Sequence, residues 1–286
     1  MSAQWSTLVQ AEELAPALGR EDLVVVDCRH SLADPAAGAA EYAGGHVPGA
    51  VHAHMDRDLS GVRAPGAGRG RHPWPQARDL CARLGDWGIT PHHQVVAYDA
   101  GDGAFAARLW FLLRALGHGP VAVLDGGWGR WSGLGLPVET VIREPAPARY
   151  AADFDASLLL DADAVRAHLD AGGLLLDARA AERFRGEVEP LDPVAGHVPG
   201  AVNRPYADNV GPDGRLHPPE RLRGEFLQVA DGRGPGRIAV MCGSGVTACH
   251  HLLALAHAGL PGAKLYTGSW SGWIEDPSRP VEPNPR

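Results

Sequence analysis

Lysine is nearly absent from this sequence: one residue, Lys264, stands against 25 arginines. A Walker-type phosphate loop needs Gly-Lys-Ser/Thr, and Lys264 sits in Gly-Ala-Lys-Leu-Tyr instead, so that loop is excluded. A Schiff-base enzyme would have to rest on this single residue, which weighs against one. Cysteine is scarce too. Cys28, Cys81, Cys242 and Cys249 form neither a disulfide framework nor a C-x2-C zinc pair in a chain of 286 residues. No apolar run approaches the ~18 residues of a membrane span. The opening MSAQWSTLVQAEEL lacks the basic and apolar stretches of a signal peptide. A formal net charge of −8 offers no basic patch for nucleic acid. The expectation is a cytoplasmic protein without membrane or nucleic-acid partners.

What is present is ordinary in bulk: 45% apolar and 21% charged residues, the balance of a globular chain. The length suits two domains of roughly 100–200 residues each. The order of the residues is more informative. GHVPGAV occurs at 45–51 and again at 196–202. Upstream of each copy lies an apolar run ending in aspartate, LVVVDCR (23–29) and LLLDAR (174–179). Downstream, VVAYD (95–99) matches IAVMC (238–242), and DGGWGRW (125–131) matches TGSWSGW (267–273). Four blocks in one order, offset by 142–151 residues, mark an internal duplication.

The halves meet in the proline-rich stretch 137–155, which disfavours both helix and central strand and reads as a linker. This sets boundaries of 1–136, 137–155 and 156–286. In the first half, strands at LVVVD, VVAYD and VAVLD alternate with helices expected over 76–87 and 104–116. In the second, strands at LLLDA, IAVMC and AKLYT alternate with helices near 218–229 and over 247–258. Strands without polar alternation, separated by amphipathic helices, predict an α/β fold with a parallel sheet covered on both faces. Ligands bind such sheets outside the carboxyl ends of the strands.

Each half has a loop at that end. The first, DAGDGAFAAR (99–108), fits the dinucleotide pattern G-x-G-x-x-A on paper, but it follows an inner strand and its sister loop abandons the pattern. The second, CGSGVTAC (242–249), carries the chemistry. Cys242 ends a buried strand, and Gly243, Ser244, Gly245, Val246 and Thr247 lead straight into a helix. Two glycines let the backbone curl its N–H groups inward, and the helix N-terminus adds its positive dipole end. Those surroundings favour thiolate over thiol and suit a nucleophile whose anionic adduct the loop then holds. A cysteine phosphatase would need arginine six positions after the cysteine, where this chain has Ala248. Cys249, Cys28 and Cys81 read as inert. The pairs His92-His93 and His250-His251 have no partners at ligand spacing and predict no metal site. Trp128, Trp131, Trp270 and Trp273 read as packing residues.

These motifs resemble the two-domain sulfurtransferases of the rhodanese family. The resemblance covers nearly the whole chain and rests on the duplication, both GHVPGAV runs, DARAAERFRG (177–186), CGSGVTA (242–248) and TGSWSGW. It implies two tandem rhodanese-like domains, a catalytic C-terminal one and an inactive N-terminal sister with Asp99 opposite Cys242. It also implies a persulfide on Cys242, no metal or organic cofactor, a small anionic sulfur donor, and cyanide, a thiol or a thioredoxin-like protein as acceptor. Two other readings stay open: a non-enzymatic persulfide carrier or redox partner, and a cysteine-dependent phosphatase. Arg183 matches the family arginine that pairs with the donor, with Arg185 as a further candidate. Asp177 and Arg179 are expected to support the loop, and His46 is a candidate proton donor beside its mainly structural reading. The neutral Ser244 points to 3-mercaptopyruvate. Leu191, in EVEPLD where the family's E-P-E-P-R-like run has an arginine, points to thiosulfate. The sequence leaves the donor open.

Overall fold

Apolar runs too short for a helix and too uniform for a half-exposed strand become the inner strands of two parallel sheets. The computed structural model describes residues 4–282. Contacts divide the chain into two units. Unit 1 comprises Met1–Gly61, Pro75–Asp155 and Gly211–Leu216; unit 2 comprises Val62–Trp74, Ala156–Val210 and His217–Arg286. Each unit therefore includes one short segment from the other half of the chain.

Unit 1 runs β1 (Leu8–Val9), α1 (Ala11–Leu14), β2 (Leu23–Asp27), α2 (Ala37–Gly44), β3 (Val51–His52), α3 (Met55–Asp58), α4 (Ala77–Asp86), β4 (Gln94–Tyr98), α5 (Ala106–Ala115), β5 (Val121–Leu124) and α6 (Gly127–Gly133). Unit 2 runs β6 (Leu159–Leu160), α7 (Ala162–Asp170), β7 (Leu174–Asp177), α8 (Ala181–Phe184), β8 (Ala201–Asn203), α9 (Pro219–Ala230), β9 (Ile238–Met241), α10 (Ala248–His257), β10 (Lys264–Tyr266) and α11 (Ser269–Trp273). The sheet orders are β1-β5-β4-β2-β3 and β6-β10-β9-β7-β8, parallel throughout. The second is the first repeated, the structural form of the duplication. Residues 140–155 carry neither helix nor strand and pack with unit 1.

The strands expected from sequence are the three inner strands of each sheet. The four additional ones, β1, β3, β6 and β8, are the sheet edges. They are two or three residues long, too short to show a period in sequence. The helices that cover the sheets follow their apolar spacing. In α9, Leu222, Phe226 and Ala230 recur every fourth residue and are buried. Removing such a leucine or phenylalanine from water contributes roughly 1.5–3 kcal/mol.

The repeated motifs do structural work in both halves. Arg29 and Arg179 each bind the aspartate two residues back, Asp27 and Asp177, through two guanidinium nitrogens. Each then donates to the carbonyl that opens GHVPGAV, Gly45 at 2.7 Å and Gly196 at 2.8 Å. The guanidinium stacks over Trp128 in one unit and Trp270 in the other. The motif histidine pairs with a later glutamate, His46 with Glu139 and His197 with Glu282, as an isolated antiparallel bridge. These charges are buried and paired, the condition under which burial is tolerable.

A polar knot anchors α10. The amide nitrogen of Asn209 donates to Nδ1 of His250 (3.0 Å) and of His251 (2.9 Å), and His251 Nε2 donates to the Arg204 carbonyl at 2.7 Å. Asn209 Oδ1 accepts from Arg204. The knot requires a neutral His251, since both ring nitrogens are committed, one as acceptor and one as donor. Burial, aided by the nearby Arg204 charge, pushes its pKa down to about 3. A folded-state pKa below the unfolded value of about 6.5 means that the unfolded chain takes up the proton first as pH falls. This contribution to stability is complete above about pH 6.5 and is lost between there and about pH 3, with a limiting slope of ~1.4 kcal/mol per pH unit. Urea midpoints of the wild-type protein should fall across that window. His251→Gln, which cannot protonate, should be less stable at neutral pH and show a shallower slope; an identical slope would refute the assignment.

Candidate active site

The loop after β9 is fastened from two sides. Trp270 and Ser271, at the start of α11, donate their backbone N–H groups to the carbonyls of Cys242 and Gly243, both at 2.9 Å. The Cys242 N–H donates to Ser269 Oγ at 3.1 Å. Ser269 holds φ of 51°, a left-handed conformation unusual for a residue with a Cβ; its counterpart in unit 1, Gly127, has the same φ. The hydroxyl that a glycine lacks supplies the acceptor for Cys242. Gly245, at φ of 81°, turns the chain so that its N–H donates to Cys242 Sγ at 3.1 Å. The thiol lies 2% exposed at the carboxyl end of the sheet, six residues before the first residue of α10.

The sister loop shows what this turn is built to hold. Asp99 Oδ1 accepts from the N–H groups of Gly101 (3.1 Å) and Gly103 (3.0 Å), and Oδ2 from those of Phe105 (2.8 Å) and Ala106 (3.1 Å). Burial and the neighbouring Asp102 push the Asp99 carboxyl up, and the N–H groups of Ala106, Gly103 and Phe105 act against that shift. The same staple recurs: Trp128 N–H donates to the Asp99 carbonyl at 2.8 Å. Unit 1 thus carries a side-chain acceptor with two oxygens on Cγ, where unit 2 carries a sulfur.

An irregular segment of the first half completes the site in unit 2. Gly68 N–H donates to Glu275 at 2.6 Å, and Arg71 N–H to Ser271 Oγ at 3.1 Å. Gly70, at φ of 73°, lies so close to α11 that a Cβ there would stand 2.5 Å from the Gly268 carbonyl and 2.6 Å from Ser271 Oγ. The segment delivers His72, whose Nδ1 lies 2.7 Å from Ser244 Oγ. It also delivers Arg71, which shares Asp192 with Arg183. Neither Arg71 nor His72 stood out in the sequence. Their run, GRGRHPWP, has no period, and only its cationic pair within a glycine-proline stretch could have flagged it.

Arg183 lies beside the loop, its Nη1 3.5 Å from where a Cβ on Gly243 would stand. Its Nη2 donates to Glu189 at 2.7 Å and to Asp192 at 3.2 Å. Glu189 also meets Arg179 at 3.4 Å, which joins the Asp177–Arg179 pair to the site. Burial works against the Glu189 charge, but Arg183 and the N–H groups of Leu191 and Asp192 hold its pKa below the usual carboxylate value. Arg185 is a correction to the sequence reading: it points to the surface and forms both its ion-pair contacts with Glu187 at 2.8 Å. His46 likewise shows a structural role. It is buried in unit 1, stacked on Tyr42 at 4.0 Å with Nδ1 2.7 Å from the Tyr42 carbonyl. Leu191 is exposed. His30, His54 and Asp56 in unit 1 bring ligand-type atoms within 4.8 Å of one another, a group that sequence spacing does not show. His54 Nδ1 already accepts the N–H groups of Asp56 and Arg57 at the start of α3.

The model of the rhodanese-like domain matches residues 10–134 and 161–276. A probable 3-mercaptopyruvate sulfurtransferase of Pseudomonas aeruginosa is 50% identical over 276 residues, covering 96% of this chain and 97% of that protein. A putative thiosulfate sulfurtransferase, SseB of Mycobacterium tuberculosis, is 41% identical over 98% of both chains. The crystal structure of SseA from Escherichia coli, described as a 3-mercaptopyruvate sulfotransferase, superposes with a TM-score of 0.79 at 31% identity, over 93% of this chain and all of that one. The chain belongs to the rhodanese family of sulfurtransferases. Among the described residues no helix is long and apolar enough to cross a membrane.

As a rhodanese-family enzyme whose loop is served by a docked segment, the protein should be sensitive at Gly70. Gly70→Ala adds a methyl where backbone already stands, a strain of about 1–3 kcal/mol on the local docking. We expect sulfur transfer to fall by about tenfold or more as His72 and Arg71 shift, with a modest fall in the urea midpoint. Full activity in the variant would show that the segment's placement is immaterial.

Proposed function

We propose that the protein transfers sulfur from 3-mercaptopyruvate through a persulfide on Cys242 to a thiol acceptor. The observation that supports this donor is the Ser244–His72 hydrogen bond, two residues from the nucleophile. The Cys242 thiolate attacks the donor sulfur, the new S–S bond forms, and the S–CH2 bond breaks with its electron pair passing to the enolate of pyruvate. The enolate takes up the proton that the donor thiol gives up, leaving Cys–S–S⁻ and pyruvate. A buried hydroxyl paired to an imidazole suits the carrying of that proton and the stabilising of the enolate oxygen. Thiosulfate makes no such demand, because sulfite departs as a stable anion.

The remaining residues fall into supporting roles. Gly245 N–H and the start of α10 stabilise the sulfur anion. Arg183, whose Nε and Nη2 are held by Glu189 and Asp192, offers its Nη1 to the donor carboxylate. Gly243, Val246 and Thr247 shape the turn, and Asp177 and Arg179 hold its surroundings. In the second half-reaction the acceptor thiol takes the outer sulfur and Cys242 returns to its starting state, a ping-pong cycle. Cyanide or a thioredoxin-like protein would serve the same chemistry. A phosphatase reading finds no support in a loop without a cation at Ala248.

Incubation with 3-mercaptopyruvate should add one sulfur to Cys242 by intact and peptide mass spectrometry, and Cys242→Ser should abolish both loading and turnover. Ser244→Ala and His72→Asn should lower kcat with 3-mercaptopyruvate by about 10²-fold or more, and with thiosulfate far less. Equal losses with both donors would remove the argument for mercaptopyruvate, and turnover by Cys242→Ser would end the reading altogether.

A further inference from the structure

We propose that Arg71 is the second half of a two-guanidinium site for the donor's anionic group, and so a specificity-determining residue; this rests on the persulfide reading above. A Cβ placed on Gly243 would lie 3.1 Å from Arg71 Nη2 and 3.5 Å from Arg183 Nη1. Two guanidinium edges from distant parts of the sequence therefore converge above the residue next to the nucleophile. Neither nitrogen has a hydrogen-bond acceptor among the described residues, whereas the other ends of both side chains are fixed. Arg71 Nη1 and Arg183 Nη2 sit on the two different oxygens of the buried Asp192. A single carboxylate thus sets the spacing of two cations and leaves one N–H edge of each open toward Gly243.

Charge bookkeeping gives the same result. The carboxylates Asp177, Glu189 and Asp192 alternate with Arg179, Arg183 and Arg71 in one connected chain of ion pairs. With Arg71 the chain is neutral; without it three carboxylates face two guanidiniums and the mouth of the loop becomes a net anion. Arg183 alone is committed to two carboxylates, so a donor anion would meet little residual positive charge there. Arg71, with a single carboxylate partner, supplies it. Glycine at 243 keeps any side chain out from between the open edges, where a Cβ would already stand 3.1 Å from Arg71 Nη2. The absence of any cation within the loop itself is thereby offset from outside it.

The test uses the full-length enzyme, wild type and Arg71→Gln, with Arg71→Lys as the conservative variant. We expect Arg71→Gln to raise the KM for 3-mercaptopyruvate by about 10–100-fold with kcat within about threefold. Inhibition by pyruvate, which has the carboxylate but no sulfur to give, should weaken by a similar factor. Arg71→Lys should recover part of the loss. Release of sulfur from preloaded Cys242 persulfide to dithiothreitol, a neutral acceptor, should stay within about twofold of wild type. An unchanged KM and unchanged pyruvate inhibition would overturn the proposal. So would a loss confined to kcat, or an equal loss in the dithiothreitol step, since either means that Arg71 only braces the loop. Failure of the wild-type enzyme to load sulfur from 3-mercaptopyruvate would instead defeat the donor reading, and is seen before any variant is made.

Discussion

The turn from a buried parallel strand into a helix leaves backbone N–H groups without partners, and both halves of this protein are organised around what those groups bind. In unit 1 the answer is permanent: the Asp99 carboxylate takes four of them. In unit 2 the residue at that place is Cys242, whose sulfur takes the Gly245 N–H. An aspartate carries its oxygens one bond beyond Cγ, much as a persulfide carries its outer sulfur one bond beyond Sγ. The first half therefore displays, in a stable side chain, the kind of group that the proposed persulfide on Cys242 would place in the matching turn of the second. That correspondence depends on the staples from Trp128 and Trp270, which fix the two loops to α6 and α11 in the same way.

Much of this was legible because it repeats. The strand ends Asp27 and Asp177, the arginines two residues on and the two GHVPGAV runs form the same buried contacts in each unit. Repetition at matched positions is also what separates scaffold from chemistry. His46 and His197 stack on Tyr42 and Phe184 in the same fashion, so neither histidine distinguishes one half from the other. Cys242 and Ser244 do distinguish it, and both could be read from the loop alone.

What the sequence hid were residues whose place is decided by packing rather than by local pattern. The edge strands are too short for a period, and nothing in the local sequence marks Ser269 for its left-handed φ. Arg71 and His72 lie far along the chain from Cys242, in a segment with no apolar rhythm, and they reach unit 2 because Gly68, Gly70, Gly268 and Gly272 let two backbones touch. Arg185 misled for the opposite reason. Its position beside Arg183 in RFRG suggests a shared role, but after the short α8 the two side chains diverge, one to Glu189 and Asp192, the other to Glu187.

The near-absence of lysine takes on a definite physical meaning at this site. A lysine in the loop would place a compact, mobile charge beside the thiolate, whereas guanidiniums anchored to carboxylates hold their charge in fixed directions. Here the loop stays neutral and its backbone handles the sulfur, while arginines on two other segments stand at its rim. In the proposed reading, sulfur chemistry and recognition of the donor anion fall to different groups, and the carboxylates of Glu189 and Asp192 set how much positive charge the rim presents. A site of this kind discriminates among donors by where their charge lies relative to the transferable sulfur, because the guanidinium edges cannot follow a charge that arrives elsewhere.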